Sequence, residues 1–381
     1  MMKRVAIVSV GAVTPIGNSF DEAWESALSG RSGVSMYQPM PEYHCGRLSD
    51  FNALEYVAPK DVTRYDPFVI FAYSAALQAI SSVELPPETG VVMGSSRGGI
   101  GSIEAAVSGR ASAYLMAGST ISMAASFIAE RTGARGHVLG ISNACSSGSN
   151  AIGEGFRLIR EGRLKAAIAG GAEAPLCSVC LRGYGASGAL TKAGVVRPFD
   201  KRRDGFALAE GAAVIVMMEM EHALDKGYEV IAEVMGYGNT ADAYHPTLSS
   251  PKGQVSAINA ALADARISAS DVGIISAHAT STPKGDAAEA AALGQVMSGK
   301  APVFAAKSLT GHMLAASGAF EVALAARALR DGVVPPTINA DEPEFGMNIS
   351  SGAREHSAHV AIASSFGFGG VNSTLVIARH G

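Results

Sequence analysis

Of the four cysteines in the chain, Cys145 stands in the setting that most favours chemistry. It lies in Asn143-Ala-Cys145-Ser-Ser-Gly148, where strand-like residues give way to a helical run, so its thiol falls at the first turn of an expected helix. Unpaired amides and the positive end of a helix dipole lower a thiol pKa there, by at most about 2 kcal/mol, and favour the nucleophilic thiolate. From position alone, a buried structural cysteine is an equally good reading. Two histidines shift the balance. His278 follows the apolar run 272–277 and precedes Ala-Thr280-Ser-Thr282-Pro, and His312 follows Gly311 just ahead of another helical run. Both fall at strand ends, where open α/β sheets gather ligands. His44, His137, His222, His356, His359 and His380 have no such setting and read as ordinary structural residues. Cys177-Ser-Val-Cys180 invites a metal or redox reading. With no second such pair and no nearby histidine pair it reads as two packed thiols, and no metal site is expected.

The elements that would hold these side chains follow from the pattern around them. Val- and Ile-rich runs such as 5–10, 90–93, 164–169 and 212–218 alternate with Ala-rich segments such as 20–28 and 148–160, which predicts an α/β fold with sheets buried on both faces. The halves also mirror one another. In the first, residues 141–148 lead from a strand into a helix ending near Arg160, followed by a strand at 165–171. In the second, 305–312 open a helix over 315–329. The loops around Ser95-Ser96 and His278–Thr282 make a second matching pair of strand ends. This spacing implies a duplicated α/β unit, with residues 1–228 carrying the cysteine and 229–381 carrying both histidines. No Pro-, Ser- or charge-rich linker divides them, so one compact body is expected.

Composition narrows the function classes. The chain has 381 residues, 48% of them apolar, enough for a substantial core. Its 44 glycines exceed the usual share of about 7% without a Gly-X-Y period, and so serve turns and close packing. Lys+Arg number 30 against 34 Asp+Glu, a net charge of −4 with no basic run, which argues against a nucleic-acid partner. No apolar run reaches the roughly 18 residues of a membrane span, and no signal-peptide core follows the N-terminus. A cytoplasmic protein without a membrane partner is expected, and the few cysteines suit a reducing compartment.

Several ordered stretches carry a family likeness: Ala144-Cys145-Ser-Ser-Gly148, Arg197-Pro-Phe-Asp-Lys-Arg-Arg-Asp-Gly205, Lys307-Ser-Leu-Thr-Gly-His312, Pro335-Pro-Thr-Ile-Asn339 and Ser365-Phe-Gly-Phe-Gly-Gly-Val-Asn372. On these the chain resembles, nearly end to end, the β-ketoacyl-acyl carrier protein synthases of the thiolase superfamily, in their elongating Cys-His-His class. The resemblance implies a thiolase-like layered αβαβα architecture built from two duplicated halves. It also implies an acyltransferase that condenses a malonyl thioester on acyl carrier protein with an enzyme-bound acyl thioester, losing carbon dioxide, in fatty-acid or polyketide and polyene elongation. Carried over by motif, Cys145 is the acylated nucleophile, His278 and His312 the decarboxylation pair, Lys307 and Glu321 the supporting charges, and Phe366 the gating aromatic. The backbone amides of Cys145 and Phe366 would then hold the second oxyanion. Thr280 and Thr282 match the pair at the phosphopantetheine arm, and Lys60 and Arg64 match basic positions facing the acidic carrier. No cofactor is implied beyond that arm, which brings the substrates. A homodimer is the expected assembly, with a heterodimer with a ketosynthase-like subunit as the other possibility.

The chain departs from the family pattern at Asn143 (usually Thr), Ala279 (usually Gly) and Ala209 (commonly Gly), and none of these removes a catalytic atom. Arg97 stands where elongating relatives carry an apolar acyl-pocket residue. It is expected either to turn to a carboxylate or to shorten and polarise the pocket. A non-catalytic chain-length partner would lack Cys145. A thiolase would need a further cysteine near the C-terminus, whereas the last one here is Cys180, and the initiating class uses Asn in place of His312.

Overall fold

The structure is a computed structural model and describes residues 2–245 and 249–381. Ten strands form its main sheet: β1 (Val5–Val13), β2 (Gly90–Gly94), β3 (Val138–Ile141), β4 (Ala166–Glu173), β5 (Gly211–Glu219), β6 (Ala232–Ala241), β7 (Ile274–Ser276), β8 (Val303–Phe304), β9 (Val360–Gly367) and β10 (Val371–Ala378). Their order across the sheet is β8-β7-β9-β10-β6-β1-β5-β4-β2-β3. Each set of five follows one scheme, with its third, second, fourth, fifth and first strands in that order outside to inside, and the sets meet where β1 and β6 pair antiparallel at Val5↔Val234 and Ile7↔Ala232. The duplication expected from the sequence is therefore present in the topology.

Helices complete the layers: α1 (Pro67–Ile80), α2 (Ser147–Arg160), α3 (Pro251–Ala265), α4 (Pro283–Val296) and α5 (Ala315–Asp331). Helices α2 and α5 pack on each other and on strands of both halves, whereas α1 covers β1, β4 and β5, and α3 covers β6 and β10 with α4 against it. The result is the five-layered αβαβα arrangement.

Strand alternation produces these layers. Ile7, Ala167, Ala169, Ile215 and Met217 point into the central core with Phe156 of α2 and Phe320 of α5. Their neighbours Ala6, Val8, Ile168, Val214 and Val216 point outward to Phe68 and Ala72 on α1. In the second half Leu375 and Ile377 face the centre, while Ile362 and Val376 face Ile258 and Leu262 of α3. Residues of period two filling both faces explain why these strands read as nearly continuous apolar runs.

Small residues bring the central helices close. A Cβ on Gly148 would lie 2.2 Å from the Ala315 carbonyl oxygen, and one on Gly171 would lie 2.4 Å from the same atom. The first turns of α2 and α5 are thereby clamped together above β4, and each follows directly on a reactive side chain.

Candidate active site

Cys145 sits on a tight turn between β3 and α2. Ala144 before it adopts φ 50°, a left-handed conformation that a non-glycine residue holds only when its surroundings enforce it. The enforcement is local. The Asn143 amide donates to Ser147 Oγ at 2.8 Å, Ser147 Oγ donates to the Ala144 carbonyl at 2.6 Å, and Ser146 Oγ donates to the Asn143 carbonyl at 2.8 Å. Asn143 thus serves the turn through backbone groups, which explains why Asn is accommodated there.

His312 lies between a single helical turn, Lys307–Thr310, and α5. Its amide donates to the Ala207 carbonyl at 2.8 Å, and its carbonyl accepts from the Ala209 amide at 2.9 Å, which threads it beside Leu208. Phe206 meets its ring edge-to-face at 5.0 Å. Leu314, two residues on, holds φ 46° and ψ −117° to turn the chain into α5.

His278 follows β7. Its amide and that of Ala279 donate to the two oxygens of Glu289 on α4, at 2.8 and 2.6 Å. That carboxylate holds Ala279 at φ 25°, a conformation glycine would adopt more freely.

These elements converge. His312 Nε2 lies 3.1 Å from Cys145 Sγ, the two imidazole rings are 5.5 Å apart at 81°, and one ligand atom from each of Cys145, His278 and His312 falls within 4.8 Å of the others. The ring protons follow from their partners. Lys307 Nζ can only donate and lies 3.2 Å from His278 Nδ1, so that nitrogen accepts and the hydrogen sits on Nε2. Ser317 Oγ accepts from the Met313 amide at 2.9 Å and lies 3.3 Å from His312 Nδ1, where its own hydrogen is free to donate, and in that arrangement the hydrogen of His312 sits on Nε2. Both imidazoles therefore present Nε2–H donors.

The electrostatics are those of a dry site. Burial, then Lys307, then His312 hold His278 well below the ordinary histidine range, and burial and Lys307 do the same to His312. Both rings are neutral at physiological pH. Lys307 is fully buried, with Nζ 2.5 Å from Glu321 Oε1 and 2.5 Å from the His278 carbonyl. Burial pushes Glu321 up to about 7 even beside that ammonium, and Glu289 likewise to about 7.

The thiol corrects an expectation. Burial pushes Cys145 up to about 11, with Lys307 pulling the other way. The pull of a helix dipole is at most about 2 kcal/mol, or some 1.5 pKa units, and desolvation of a thiolate in this apolar pocket outweighs it. The Phe368 amide also pulls the thiol down, by less than burial pushes it up. Phe366, whose amide was expected to hold the second oxyanion, lies within the β9–β10 ladder opposite Asn372, whereas Phe368 stands past the last strand residue, Gly367. The ring of Phe366 packs against His278 at 5.9 Å.

A cavity of about 500 Å³ opens over the three reactive groups, and Thr280, Thr282, Phe366 and Phe368 line it with Tyr184 and Leu314. Thr280 and Thr282 share a hydrogen bond of 2.9 Å, and Thr282 caps α4 by accepting from the Gly285 amide. Another hollow of about 460 Å³, between Val255 and Val296, contains none of the reactive side chains. Arg97 is exposed and does not line the catalytic cavity. Its amide donates to the buried Glu173, and its Nε donates to Tyr184 Oη at 3.1 Å. It reaches the cavity through Tyr184, whose hydroxyl is the partner its guanidinium finds within the chain. Lys60 and Arg64 stand apart on a short helix, Pro59–Arg64, with the Arg64 guanidinium over the Tyr114 ring at 4.7 Å.

Sequence reasoning missed Phe368, Glu289, Ser317 and Tyr184. Glu289 left a signal as a carboxylate within an Ala-rich helix shortly after His278, and Phe368 as the second aromatic of Phe-Gly-Phe-Gly-Gly.

Comparison with known proteins agrees with this geometry. Residues 2–223 match the N-terminal domain of the β-ketoacyl synthases, and residues 231–341 match their C-terminal domain. The 3-oxoacyl-[acyl-carrier-protein] synthase 2 of Vibrio harveyi is 37% identical over 409 residues, covering 99% of both chains, and that of Synechocystis is 35% identical over 412 residues, covering 99% and 98%. Among solved structures, the ishigamide ketosynthase/chain length factor superposes with a TM-score of 0.94 at 28% identity. A type II polyketide ketosynthase solved with its acyl-carrier protein gives 0.91 at 28%, and both alignments span the full chains.

Proposed function

The chain belongs to the β-ketoacyl synthase family, and on that footing we propose a residue-level course for the reaction it catalyses, with Cys145 as the acyl-bearing nucleophile. The enzyme is a condensing acyltransferase. It joins an enzyme-bound acyl thioester to a malonyl thioester on acyl carrier protein, with loss of carbon dioxide, in chain elongation. The observation that carries the assignment of roles is the 3.1 Å approach of His312 Nε2 to Cys145 Sγ with His278 alongside.

In the first half-reaction the sulfur attacks the acyl thioester. One thioester replaces another, and the thiol proton leaves with the carrier's phosphopantetheine thiol, so the exchange is close to balanced. The Phe368 amide stabilises the thiolate as it forms. In the second, malonyl loses carbon dioxide and leaves an enolate, whose oxygen takes hydrogen bonds from the Nε2–H groups of His278 and His312. Preorganised donors of this kind are worth roughly 3–4 kcal/mol each. The carbanion attacks the acyl carbonyl, whose oxyanion faces the amides of Cys145 and Phe368, and Cys145 departs as thiolate. Lys307, anchored by Glu321, keeps His278 neutral and fixes its tautomer. No step calls on a metal or other cofactor, since the phosphopantetheine arm brings both substrates past Thr280 and Thr282.

We assign Lys60 and Arg64 to carrier docking and Arg97 to positioning Tyr184. A homodimer is the proposed assembly, supported by the edge strand β3, where Val138 and Leu139 are each 39% exposed. A boundary between halves at 228/229 is supported by family matches that stop at 223 and resume at 231. Four unpaired thiols suit a reducing cytoplasm. Cys145 itself weighs against a non-catalytic chain-length subunit. The purified protein, incubated with a panel of acyl carriers, should gain one acyl mass, and peptide mapping should place it on Cys145. An adduct elsewhere, or one that survives Cys145→Ala, would overturn the assignment.

A further inference from the structure

Cys177 and Cys180 take no part in the chemistry above, and their placement is unlike that of the other two cysteines. Cys177 is the N-cap of a nine-residue helix, Ser178–Ala186, with extended φ −129° and ψ 164°, and Cys180 is the third residue inside it. The spacing brings both side chains to the same first turn, the arrangement in which two thiols three apart can close into a disulfide without unwinding the helix. Cys177 is half-buried, so a small reagent can reach it, while Cys180 is 6% exposed and lies in one apolar cluster with Leu181 and Tyr184.

The environment separates the roles of the two sulfurs. The thiols interact with each other, and this contact holds Cys177 below the ordinary thiol range while contact and burial push Cys180 up. Glu104 closes the start of the same helix, its carboxylate accepting from the amides of Ser178 at 3.2 Å and Val179 at 2.6 Å, and its charge opposes the Cys180 contact by raising Cys177. By contrast, burial pushes Cys45 up to about 12 and Cys145 up to about 11. A metal reading finds no further ligands, because among the described residues the set of three or more close metal-ligating side chains is Cys145, His278 and His312.

We propose that Cys177 and Cys180 form a redox site, a dithiol that closes reversibly to a disulfide by exchange with a low-molecular-weight disulfide. Cys177 thiolate attacks one sulfur of the reagent and expels a thiolate, giving a mixed disulfide. Cys180 then loses its proton and attacks the Cys177 sulfur, expelling the second thiol. Two cysteine thiols are oxidised, and one reagent disulfide is reduced to two thiols. The site is independent of the condensation chemistry, and its helix also carries Tyr184 to the cavity wall one turn further on.

Trypsin isolates the relevant cysteines, since residues 166–182 hold only Cys177 and Cys180, 136–157 only Cys145 and 32–47 only Cys45. The full-length protein is equilibrated with graded mixtures of oxidised and reduced glutathione, quenched with an alkylating reagent and mapped by mass. The expected result is a 166–182 peptide two hydrogens lighter, restored by dithiothreitol, at ratios where the other two peptides remain alkylated. Cys180→Ser should trap one glutathione on Cys177, and Cys177→Ser should take up none on that peptide. A 166–182 peptide with both thiols alkylated at ratios that oxidise free dithiothreitol would overturn the proposal, as would glutathione on Cys180 or no adduct in Cys180→Ser.

Discussion

The proton on the Cys145 sulfur determines how fast the enzyme can be acylated. With burial pushing the thiol up to about 11, the thiolate fraction rises tenfold per pH unit through the neutral range. Alkylation of the resting enzyme by iodoacetamide at Cys145 should climb without levelling through pH 9, whereas an ordinary thiol levels near its pKa of about 8.5. A plateau below pH 8 would mean that the site stabilises the thiolate at rest. Both histidines are held below their ordinary range, so no falling limb from their titration is expected between pH 7 and 9. Arg97 acts at the same scale. Its bond to Tyr184 Oη places a tethered phenol in the cavity wall, and Arg97→Ile should release that ring and shift the acyl-chain profile toward longer saturated chains. An unmoved profile in a folded, active variant would remove Arg97 from specificity. The reactive types were legible in the sequence because a cysteine and two histidines at strand ends are conspicuous among small apolar residues. The state of the thiol was not, since desolvation depends on Phe206, Leu314 and Phe366 arriving from distant parts of the chain. The end of β9, which separates Phe366 from Phe368, is a boundary that Phe-Gly-Phe-Gly-Gly does not mark.

Among the elements, the first turns of α2 and α5 approach one another closely. Gly148 and Gly171 leave room for the Ala315 carbonyl, and the turns that carry Cys145 and His312 are aligned by that contact. Gly148→Ala should force the helices apart at a cost of about 1–3 kcal/mol, the usual scale of overpacking, lowering Tm and slowing acylation together. Unchanged melting and acylation would show that the contact does not set the site. Duplication was readable at this scale because each half places a reactive side chain between a strand and a helix. The extra turn at Lys307–Thr310 was less visible. It buries a lysine that its sequence neighbours would equally allow at the surface, and the Glu321 carboxylate on α5, fourteen positions away, together with the His278 carbonyl makes that burial tolerable.

For the whole molecule, a net charge of −4 disfavours an acidic carrier unless a local basic surface offsets it. Lys60 and Arg64 are proposed for that task, and reversing both charges should raise the carrier KM, with the effect fading as salt rises. Unchanged kinetics at low salt would leave them without a docking role. The five layers followed from the family resemblance, and an α/β class with buried sheets was legible from alternating apolar runs. The pairing of β1 with β6 that makes one sheet of two halves was not, because register between distant strands is set in three dimensions. That assembly brings a cysteine from one half against histidines from the other, and the central claim is that they divide the labour. The most direct test follows acylation and condensation separately in His278→Ala and His312→Ala. Each variant should still form acyl-Cys145, detected by intact mass, while condensation with malonyl carrier falls by roughly 10²–10³-fold, the scale of one lost oxyanion donor. Equal loss of both half-reactions, or condensation at the wild-type rate, would contradict it.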